Sequence, residues 1–348
     1  MNKKAPDYGL RIGKLKSGPL NKISDVNGVK VGHYTLDDGY NNTGVTVIMP
    51  TEKNVFINKL PCAAYVLNGF GKTAGTIQIE ELGTLESPVA LTSTLNVGLV
   101  TEGMVQYTLG RCKAEGEEVP TSVNSLVLEC NDGRINHSDK RGVLSEDVFT
   151  AIENATSDFS EGDVGGGRGM ICHGLKGGIG SSSRLVKLGD ENYTVGVLVQ
   201  TNYGALNDLI VNGKAVGGKI AKSISSDESE KGSVIVVVAT DIPLSSRQLK
   251  RVIKRASVGL ARCGSYIGHG SGEVFVGFSN AYSLKRDSKE CFCDIRILNE
   301  DKMNGVFRAV AEATEEAVLN SMLCAEAKTA INGERIHSLA EYAHLFEQ

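Results

Sequence analysis

The hydrophobic pattern of this chain changes most abruptly within residues 222–246, KSISSDESEKGSVIVVVATDIPLSS. Polar, charged or glycine residues fill positions 222–232 apart from Ile224, and five apolar β-branched residues follow at 234–238. An apolar run this short, bounded by residues typical of turns, predicts a strand that is buried on both faces. Ser233 therefore stands where a solvated loop enters the protein interior.

Similar patterns predict the other elements. Short strands with turns are expected in residues 1–60, including one at 43–50, and further strands at 85–98, 122–133, 193–204, 273–279 and 293–299. Helices are expected at 101–116, from the capping-box pair Ser245 and Gln248 to Gly264, and at roughly 300–329. The Gly-rich stretch 67–83 predicts a loop that leads into a helix or a strand.

The order of these elements favours an α+β fold in which two packed sheets are covered by helices. Strands come first, then a helix, more strands, and finally a strand–helix–strand–strand–helix series. Neither a linker nor an internal repeat divides the sequence. We therefore predict a single domain over residues 1–348.

Composition narrows the function classes. The chain is 41% hydrophobic and 22% charged, as in ordinary globular proteins, and its net charge of −4 gives no support for a nucleic-acid or membrane partner. No apolar run approaches the length of a membrane span, and the first residues lack the apolar core of a secretory signal. The eight cysteines include no CxxC pair, which favours free thiols in a reducing compartment. A cytoplasmic location is expected.

Several motifs that suggest nucleotide or metal binding fail on spacing. Residues 71–73 (GKT) end like a P-loop, but Val66 occupies the position of the first glycine. Residues 165–169 (GGGRG) lack the dinucleotide-binding spacing and predict a tight loop instead. The histidines show no ligand spacing, and His173 and His269 lie in Gly-rich loops that are typical of turns. We expect neither a metal nor an organic cofactor.

The Gly232–Ser233 junction could become a reactive site if the chain were cut there. Cleavage would leave Ser233 with both a hydroxyl and a free α-amine, whose pKa near ~8 lets it accept the hydroxyl proton at neutral pH. Gly232 tolerates the strained backbone that such a cleavage requires. A Gly-Ser pair alone is a weak signal, and the same pattern also fits an ordinary surface loop before a strand.

Several longer segments resemble one family in the same order along the chain. They are ISDVNGVKVGH (23–33), LNGFGKTAGTIQIEELGTLESPVALTSTLNVG (67–98), ECNDG (129–133), KGGIGSSSR (176–184), VQTNYG (199–204), GSVIVVVATDIPL (232–244) and GHGSGEVFVGFS (268–279). The chain thus resembles the L-aminopeptidase/D-esterases and β-peptidyl aminopeptidases, serine hydrolases of the N-terminal-nucleophile type that cut themselves into two parts. The resemblance implies a four-layer αββα sandwich.

The resemblance also implies catalytic roles. Ser233, after Gly232, matches the nucleophile at the new N-terminus. Asn202 matches the asparagine that donates to the oxyanion. Ser271 and Glu273 match the pair beside the nucleophile, where Ser271 would contact the Ser233 amine or hydroxyl and Glu273 would orient the network.

Substrate recognition is implied for three further positions. Glu129 matches an acidic residue near the free amino group of the substrate, which would make the enzyme an exopeptidase. The family often has an aromatic residue where this chain has Asn131 and a threonine near Arg168, and both positions are expected near the mouth of the site. These departures affect substrate preference rather than the chemistry.

The resulting hypothesis is a self-processing serine aminopeptidase. Cleavage before Ser233 would give an α part (1–232) and a β part (233–348), and the substrate would be a small peptide or an aminoacyl amide or ester. The resemblance suggests a tetramer of αβ units. Three alternatives stay open: a β-peptide-specific aminopeptidase, an acyltransferase, and an uncut small-molecule binding protein whose Gly-rich loops at 165–180 hold an anion.

Overall fold

A computed structural model describes residues 3–224 and 232–347. The polar stretch 225–231, which the sequence predicts to be a solvated loop, lies outside the described residues. The helices are α1 (Thr76–Leu82), α2 (Val97–Ala114), α3 (Asp147–Glu153), α4 (Gly217–Ile224), α5 (Ser246–Ile253), α6 (Ala256–Arg262) and α7 (Met303–Leu323).

The strands of the first half of the chain are β1 (Lys30–Asp37), β2 (Asn42–Met49), β3 (Asn58–Gly69), β4 (Thr84–Leu85), β5 (Val89–Ser93), β6 (Leu126–Cys130), β7 (Ile171–Cys172) and β8 (Leu175–Lys176). Those of the second half are β9 (Ile179–Leu188), β10 (Glu191–Asn202), β11 (Ile210–Val211), β12 (Lys214–Ala215), β13 (Gly232–Thr240), β14 (Ser271–Ser279), β15 (Leu284–Lys285), β16 (Lys328–Thr329) and β17 (Arg335–Ile336).

Within the described residues, the strands build two main sheets that pack face to face. The four-stranded sheet has the order β1-β2-β5-β6, and the seven-stranded sheet has the order β15-β3-β14-β13-β10-β9 with β4 beside β3. Apolar side chains from both sheets, such as Leu91 and Leu128 from one and Ile235 and Val237 from the other, share one buried cluster between them. This arrangement confirms the predicted pair of packed sheets.

Helices cover the outer face of each sheet. On the four-stranded sheet, Met104 of α2 and Val148 of α3 pack against Val47 and Val127. On the seven-stranded sheet, α5 and α7 contact the strands and α6 packs on α7. The result is the four-layer αββα sandwich that the family resemblance implied.

Strand β13 lies in the centre of the larger sheet and explains the apolar run at 234–238. Side chains alternate along a strand, so Val234, Val236 and Val238 join the cluster under the helices. Ile235 and Val237 face the other sheet. All five are at most 1% exposed, which confirms a strand buried on both faces.

Other predictions need correction. Residues 293–299 form no strand but an irregular, largely exposed segment, because their apolar residues Ile295 and Ile297 have no neighbouring strand to pair with. The helix predicted up to Gly264 is two helices, α5 and α6, although its N-terminal capping box is present. The last helix ends at Leu323, earlier than predicted.

Two further findings concern the state of the cysteines and the character of the helices. All eight cysteines are free thiols, and Cys291 and Cys293 are the exposed ones. None of the helices in the two described ranges combines the length and the apolar character needed to cross a membrane.

Candidate active site

A cavity of about 690 Å³ opens where several strands of the two sheets begin or end. Glu129 lies near the end of β6, Asn202 ends β10, and Gly232 and Ser233 begin β13; all of them line the cavity. The antiparallel pairing of β10 with β13 and the parallel pairing of β13 with β14 bring the end of β10 and the starts of β13 and β14 to the same edge of the sheet. Residues distant in sequence thus meet in one cavity.

Ser233 and Asn202 are direct neighbours across the sheet. They are register partners between β13 and β10, so both side chains lie on the same face. The Asn202 Oδ1 accepts a hydrogen bond of 2.9 Å from the Ile171 N–H. A backbone N–H can only donate, so the amide oxygen must face Ile171, and the Nδ2 group remains available as a donor toward the cavity.

Ser271 and Glu273 form a hydrogen-bonded pair within β14, and both are fully buried. They pair with Gly232 and Val234, the neighbours of Ser233 along β13. Paired side chains share a face, so this pair lies on the opposite face of the sheet from the Ser233 side chain. The geometry favours contact with the backbone nitrogen of Ser233 rather than with its hydroxyl.

Glu129 is a cavity carboxylate held by two donors. The Lys72 N–H donates to Oε1 at 2.9 Å and the Thr94 hydroxyl donates to Oε2. The side chain is nevertheless in the cavity wall, with the residue only 3% exposed. Such a fixed and largely desolvated carboxylate suits a cationic ligand group. No sequence signal marked these two donors: Lys72 stands in the GKT stretch that only resembles a P-loop, and it contributes its backbone N–H, while Thr94 has no local motif.

The two positions that depart from the family pattern have different locations. Asn131 lines the cavity, and its Oδ1 accepts a hydrogen bond of 3.0 Å from the Gly133 N–H. The expectation that Arg168 lies near the mouth is wrong. Its guanidinium pairs with Asp163 and Asp37 and lines a different cavity.

The Gly-rich loop at 165–169 packs tightly against the sheets. Residues 165–167 are buried, and a Cβ on Gly166 would lie 2.7 Å from the Leu91 carbonyl oxygen. This close approach of backbone to backbone confirms the tight loop that the sequence predicted. It leaves little room at residues 165–167 for the anion that an uncut small-molecule binding protein would hold there. In residues 3–224 and 232–347, no group of three or more His, Cys, Asp or Glu side chains is arranged to hold a metal.

Two buried titratable side chains near the cavity, Cys130 and His173, have pKa values that burial shifts away from neutral pH. Burial raises the pKa of the Cys130 thiol far above its usual range, and its Sγ lies 3.5 Å from the Ser233 carbonyl oxygen. His173 lies in the turn between β7 and β8, as its Gly-rich surroundings predicted, but it is fully buried against Gly204. Burial lowers its pKa to about 4, and its Nδ1 lies 2.9 Å from the Ala205 carbonyl oxygen. At neutral pH Cys130 is therefore a thiol rather than a thiolate, and His173 is an uncharged imidazole.

Comparisons with known proteins agree on one family. The sequence profile of Peptidase family S58 matches residues 21–336. The β-peptidyl aminopeptidase BapA of Sphingosinicella xenopeptidilytica is 37% identical over 345 residues, which cover 92% of this chain and 85% of that protein.

Two solved structures share the fold along nearly the whole chain. The PH0078 protein of Pyrococcus horikoshii OT3 has a TM-score of 0.92 and 42% identity, with coverage of 99% of this chain and 98% of its own. The L-aminopeptidase D-Ala-esterase/amidase of Ochrobactrum anthropi has a TM-score of 0.90 and 32% identity, with coverage of 98% and 96%. The latter is described as a prototype for the serine aminopeptidases and a variant of the Ntn hydrolase fold.

Proposed function

This chain belongs to peptidase family S58, and from that premise we propose that it is a serine aminopeptidase that activates itself by cleaving the Gly232–Ser233 bond. The observation that carries the proposal is the placement of Ser233 beside Asn202 in one cavity that also contains Glu129. These three side chains supply a nucleophile, an oxyanion donor and an anionic site for the substrate amine.

Self-cleavage proceeds as an acyl shift followed by hydrolysis. The Ser233 hydroxyl oxygen adds to the Gly232 carbonyl carbon, the peptide C–N bond breaks, and the hydroxyl proton moves to the released amine. Water then adds to the ester, which gives a Gly232 carboxylate and restores the Ser233 hydroxyl. The buried Ser271–Glu273 pair lies beside the new amine and orients it.

Turnover of the mature enzyme uses the new α-amine as the base. It accepts the hydroxyl proton while the Ser233 oxygen attacks the substrate carbonyl. The Asn202 Nδ2 donates to the developing oxyanion, an interaction typically worth ~3–4 kcal/mol in the transition state. The leaving amine takes the proton, and water releases the acyl group from Ser233.

Glu129 makes the enzyme act at chain ends. The ammonium of the substrate takes a place beside the Glu129 carboxylate, which is already fixed by Lys72 and Thr94. An acylated N-terminus carries no charge to pair with this carboxylate and would leave it desolvated without a counter-charge. The site therefore selects a free amino group near the scissile carbonyl.

A β-peptide substrate is the second candidate, because BapA, a relative with 37% identity, is named a β-peptidyl aminopeptidase. A β-amino acid places the ammonium one carbon further from the carbonyl than an α-amino acid does. Comparing kcat/KM for p-nitroanilides of L-Ala, D-Ala and β-homoalanine distinguishes these classes. Adding a free amino acid and measuring new amide product tests the acyltransferase alternative.

The purified wild-type protein is expected to show two bands on a denaturing gel. The chain of 37.0 kDa has 348 residues, so cleavage after residue 232 leaves 348 − 232 = 116 residues in the smaller fragment. The bands should have about two-thirds and one-third of the full mass. N-terminal sequencing of the smaller band should read Ser-Val-Ile. A single intact band after prolonged incubation, in a preparation that still hydrolyses aminoacyl amides, would contradict self-cleavage.

Replacing Gly232 with alanine is expected to slow self-cleavage at least tenfold. Gly232 has a φ of +117°, and an added Cβ would lie 1.8 Å from the Asn202 carbonyl oxygen. The start of β13 must therefore shift and move the Gly232 carbonyl carbon away from the Ser233 hydroxyl. The rate is measured as loss of the full-length band with time.

Gly270→Ala is the matched control for this substitution. Gly270 lines the same cavity, but no atom lies within 4 Å of an added Cβ. Its processing rate should stay within twofold of the wild-type rate. Equal rates for both variants would show that the backbone of Gly232 is not a constraint on cleavage.

The proposal also covers the oligomeric state of the protein and its location in the cell. Phe70, shortly before α1, and Ile77 and Leu82 within α1 are 61–86% exposed. These exposed apolar side chains support a closed homo-oligomer, with a tetramer of αβ units as the expected state. Light scattering of the purified protein tests this, and a mass of one αβ unit would refute it. A cytoplasmic location stays a prediction, to be tested by cell fractionation.

A further inference from the structure

Lys176 is a fully buried lysine in the short hairpin of β7 and β8. Its Nζ donates to the carbonyl oxygens of Gly167 at 3.2 Å, Met170 at 2.9 Å and Gly177 at 2.7 Å. An ammonium has three donors, and here each one has a backbone acceptor. Burial lowers the Lys176 pKa to about 7, while the nearby Asp163 carboxylate opposes this shift. Burying an ammonium is costly, but the three carbonyl oxygens favour the charged form, because only an ammonium can donate to all three of them.

One peptide group links this ammonium to Asn202. The carbonyl oxygen of Met170 accepts hydrogen bonds from the Lys176 Nζ at 2.9 Å and from the Gly177 N–H at 2.9 Å. The N–H of the same peptide group belongs to Ile171 and donates to the Asn202 Oδ1 at 2.9 Å. A continuous chain of hydrogen bonds therefore runs from Lys176 through one peptide group to the side-chain amide of Asn202.

Every hydrogen bond in this series is oriented so that it makes the Asn202 Nδ2 group a stronger donor. A cation at the Met170 carbonyl draws electron density toward the oxygen and makes the Ile171 N–H more acidic. That N–H polarises the Asn202 amide in turn, so its Nδ2 hydrogens carry more positive charge. Hydrogen bonds in such series strengthen one another by roughly 10–30% per bond. The chain also fixes the amide so that it cannot turn its oxygen toward the cavity.

We propose that Lys176 is a positioning residue for the oxyanion donor, because it fixes and polarises the Asn202 amide through the Met170–Ile171 peptide group. This inference rests on the proposed function, in which Asn202 stabilises the oxyanion. It assigns Lys176 an effect on the transition state and not on substrate binding. Removing the ammonium should thus weaken oxyanion stabilisation while leaving the ground-state complex intact.

The test compares the wild type with Lys176→Met, which keeps most of the side-chain volume but removes the charge and all three donors. We expect kcat to fall ten- to a hundredfold with KM within threefold. The decisive probes are an amino aldehyde, which forms a tetrahedral adduct with the serine, and the corresponding amino alcohol, which cannot. L-Alaninal and L-alaninol serve for α-amino substrates, and 3-aminopropanal and 3-aminopropanol serve for β-amino substrates. The inhibition constant of the aldehyde should rise at least tenfold, and that of the alcohol should stay within twofold.

Two further variants separate this role from a structural one. Lys176→Arg keeps a charge and several donors and should restore part of the aldehyde affinity; it also provides the measurement if the methionine variant does not fold. Lys22→Met removes another largely buried lysine, which binds Asp158 and the Phe159 carbonyl away from this cavity. It should lower the melting temperature without changing the ratio of the two inhibition constants.

The possible failures are distinguishable. If the wild type neither hydrolyses aminoacyl p-nitroanilides nor binds the aldehyde more tightly than the alcohol, the proposed function fails and this inference falls with it. If the wild type does both and folded Lys176→Met keeps the same kcat and the same ratio, only the role of Lys176 is overturned. A parallel loss of aldehyde and alcohol affinity would likewise overturn it, since that pattern marks general damage to the site.

Discussion

Ser233→Ala is expected to yield one uncut chain of 37.0 kDa with no detectable aminopeptidase activity. Alanine lacks the hydroxyl that attacks the Gly232 carbonyl, so the acyl shift cannot begin. It also lacks the hydroxyl that attacks the substrate, and the amine that would act as its base stays in a peptide bond. A denaturing gel and hydrolysis of aminoacyl p-nitroanilides measure the two losses in the same preparation.

Ser233→Thr and Ser233→Cys are the controls for this experiment, since both keep a nucleophilic atom at the same position. At least one of them should retain self-cleavage, even if slowly. The melting temperature of Ser233→Ala should stay close to those of the Thr and Cys variants, because all three keep a small side chain at a position that is only 6% exposed. Activity that survives in Ser233→Ala would refute the assignment of the nucleophile.

Glu129→Gln should lower kcat/KM for substrates with a free amine by roughly 10²–10³-fold. Removing one partner of a desolvated, hydrogen-bonded charge pair typically costs about 2–5 kcal/mol, and the substrate ammonium would lose its anionic partner. Glutamine is close in shape, and the Thr94 hydroxyl that donates to the carboxylate can accept from the new amide instead. The measurement is kcat/KM for an aminoacyl p-nitroanilide relative to its analogue without the amino group.

Glu334→Gln is the matched control, because Glu334 is another carboxylate in the wall of the same cavity and pairs with Arg134 at 3.1 Å. This pair is about half exposed, and exposed ion pairs contribute little. The preference for the free amine should change less than threefold in this variant. If Glu129→Gln leaves that preference intact, the amine is recognised elsewhere and the role of Glu129 is wrong.

The sequence predicted best those features that depend on local pattern. The β-branched run at 234–238 became a strand with apolar contacts on both faces, and Ser245 caps α5 as its spacing indicated. The same rules failed at 293–299, where alternating apolar residues found no partner strand. Pairing is a property of the whole fold, and local alternation cannot supply it.

The site could be predicted only as far as the family resemblance reached. That resemblance identified Ser233, Asn202 and Glu129, and the structure places all three in one cavity. The resemblance did not indicate which groups orient these side chains. The Ile171 N–H lies 31 positions from Asn202 and the Lys72 N–H lies 57 positions from Glu129. Backbone donors carry no side-chain signature, so only the tertiary structure shows that they orient the site.

The order of the larger sheet has a consequence for the two fragments after the proposed cut. Strands β13, β14 and β15 would belong to the shorter fragment, while β3, β9 and β10 would belong to the longer one, and they interleave as β15-β3-β14-β13-β10-β9. Separating the fragments would require breaking the ladders on both sides of the β13–β14 pair and exposing the apolar layers above and below it. We therefore expect the nicked protein to melt as one cooperative unit, and either fragment made alone to aggregate through its unpaired strand edges.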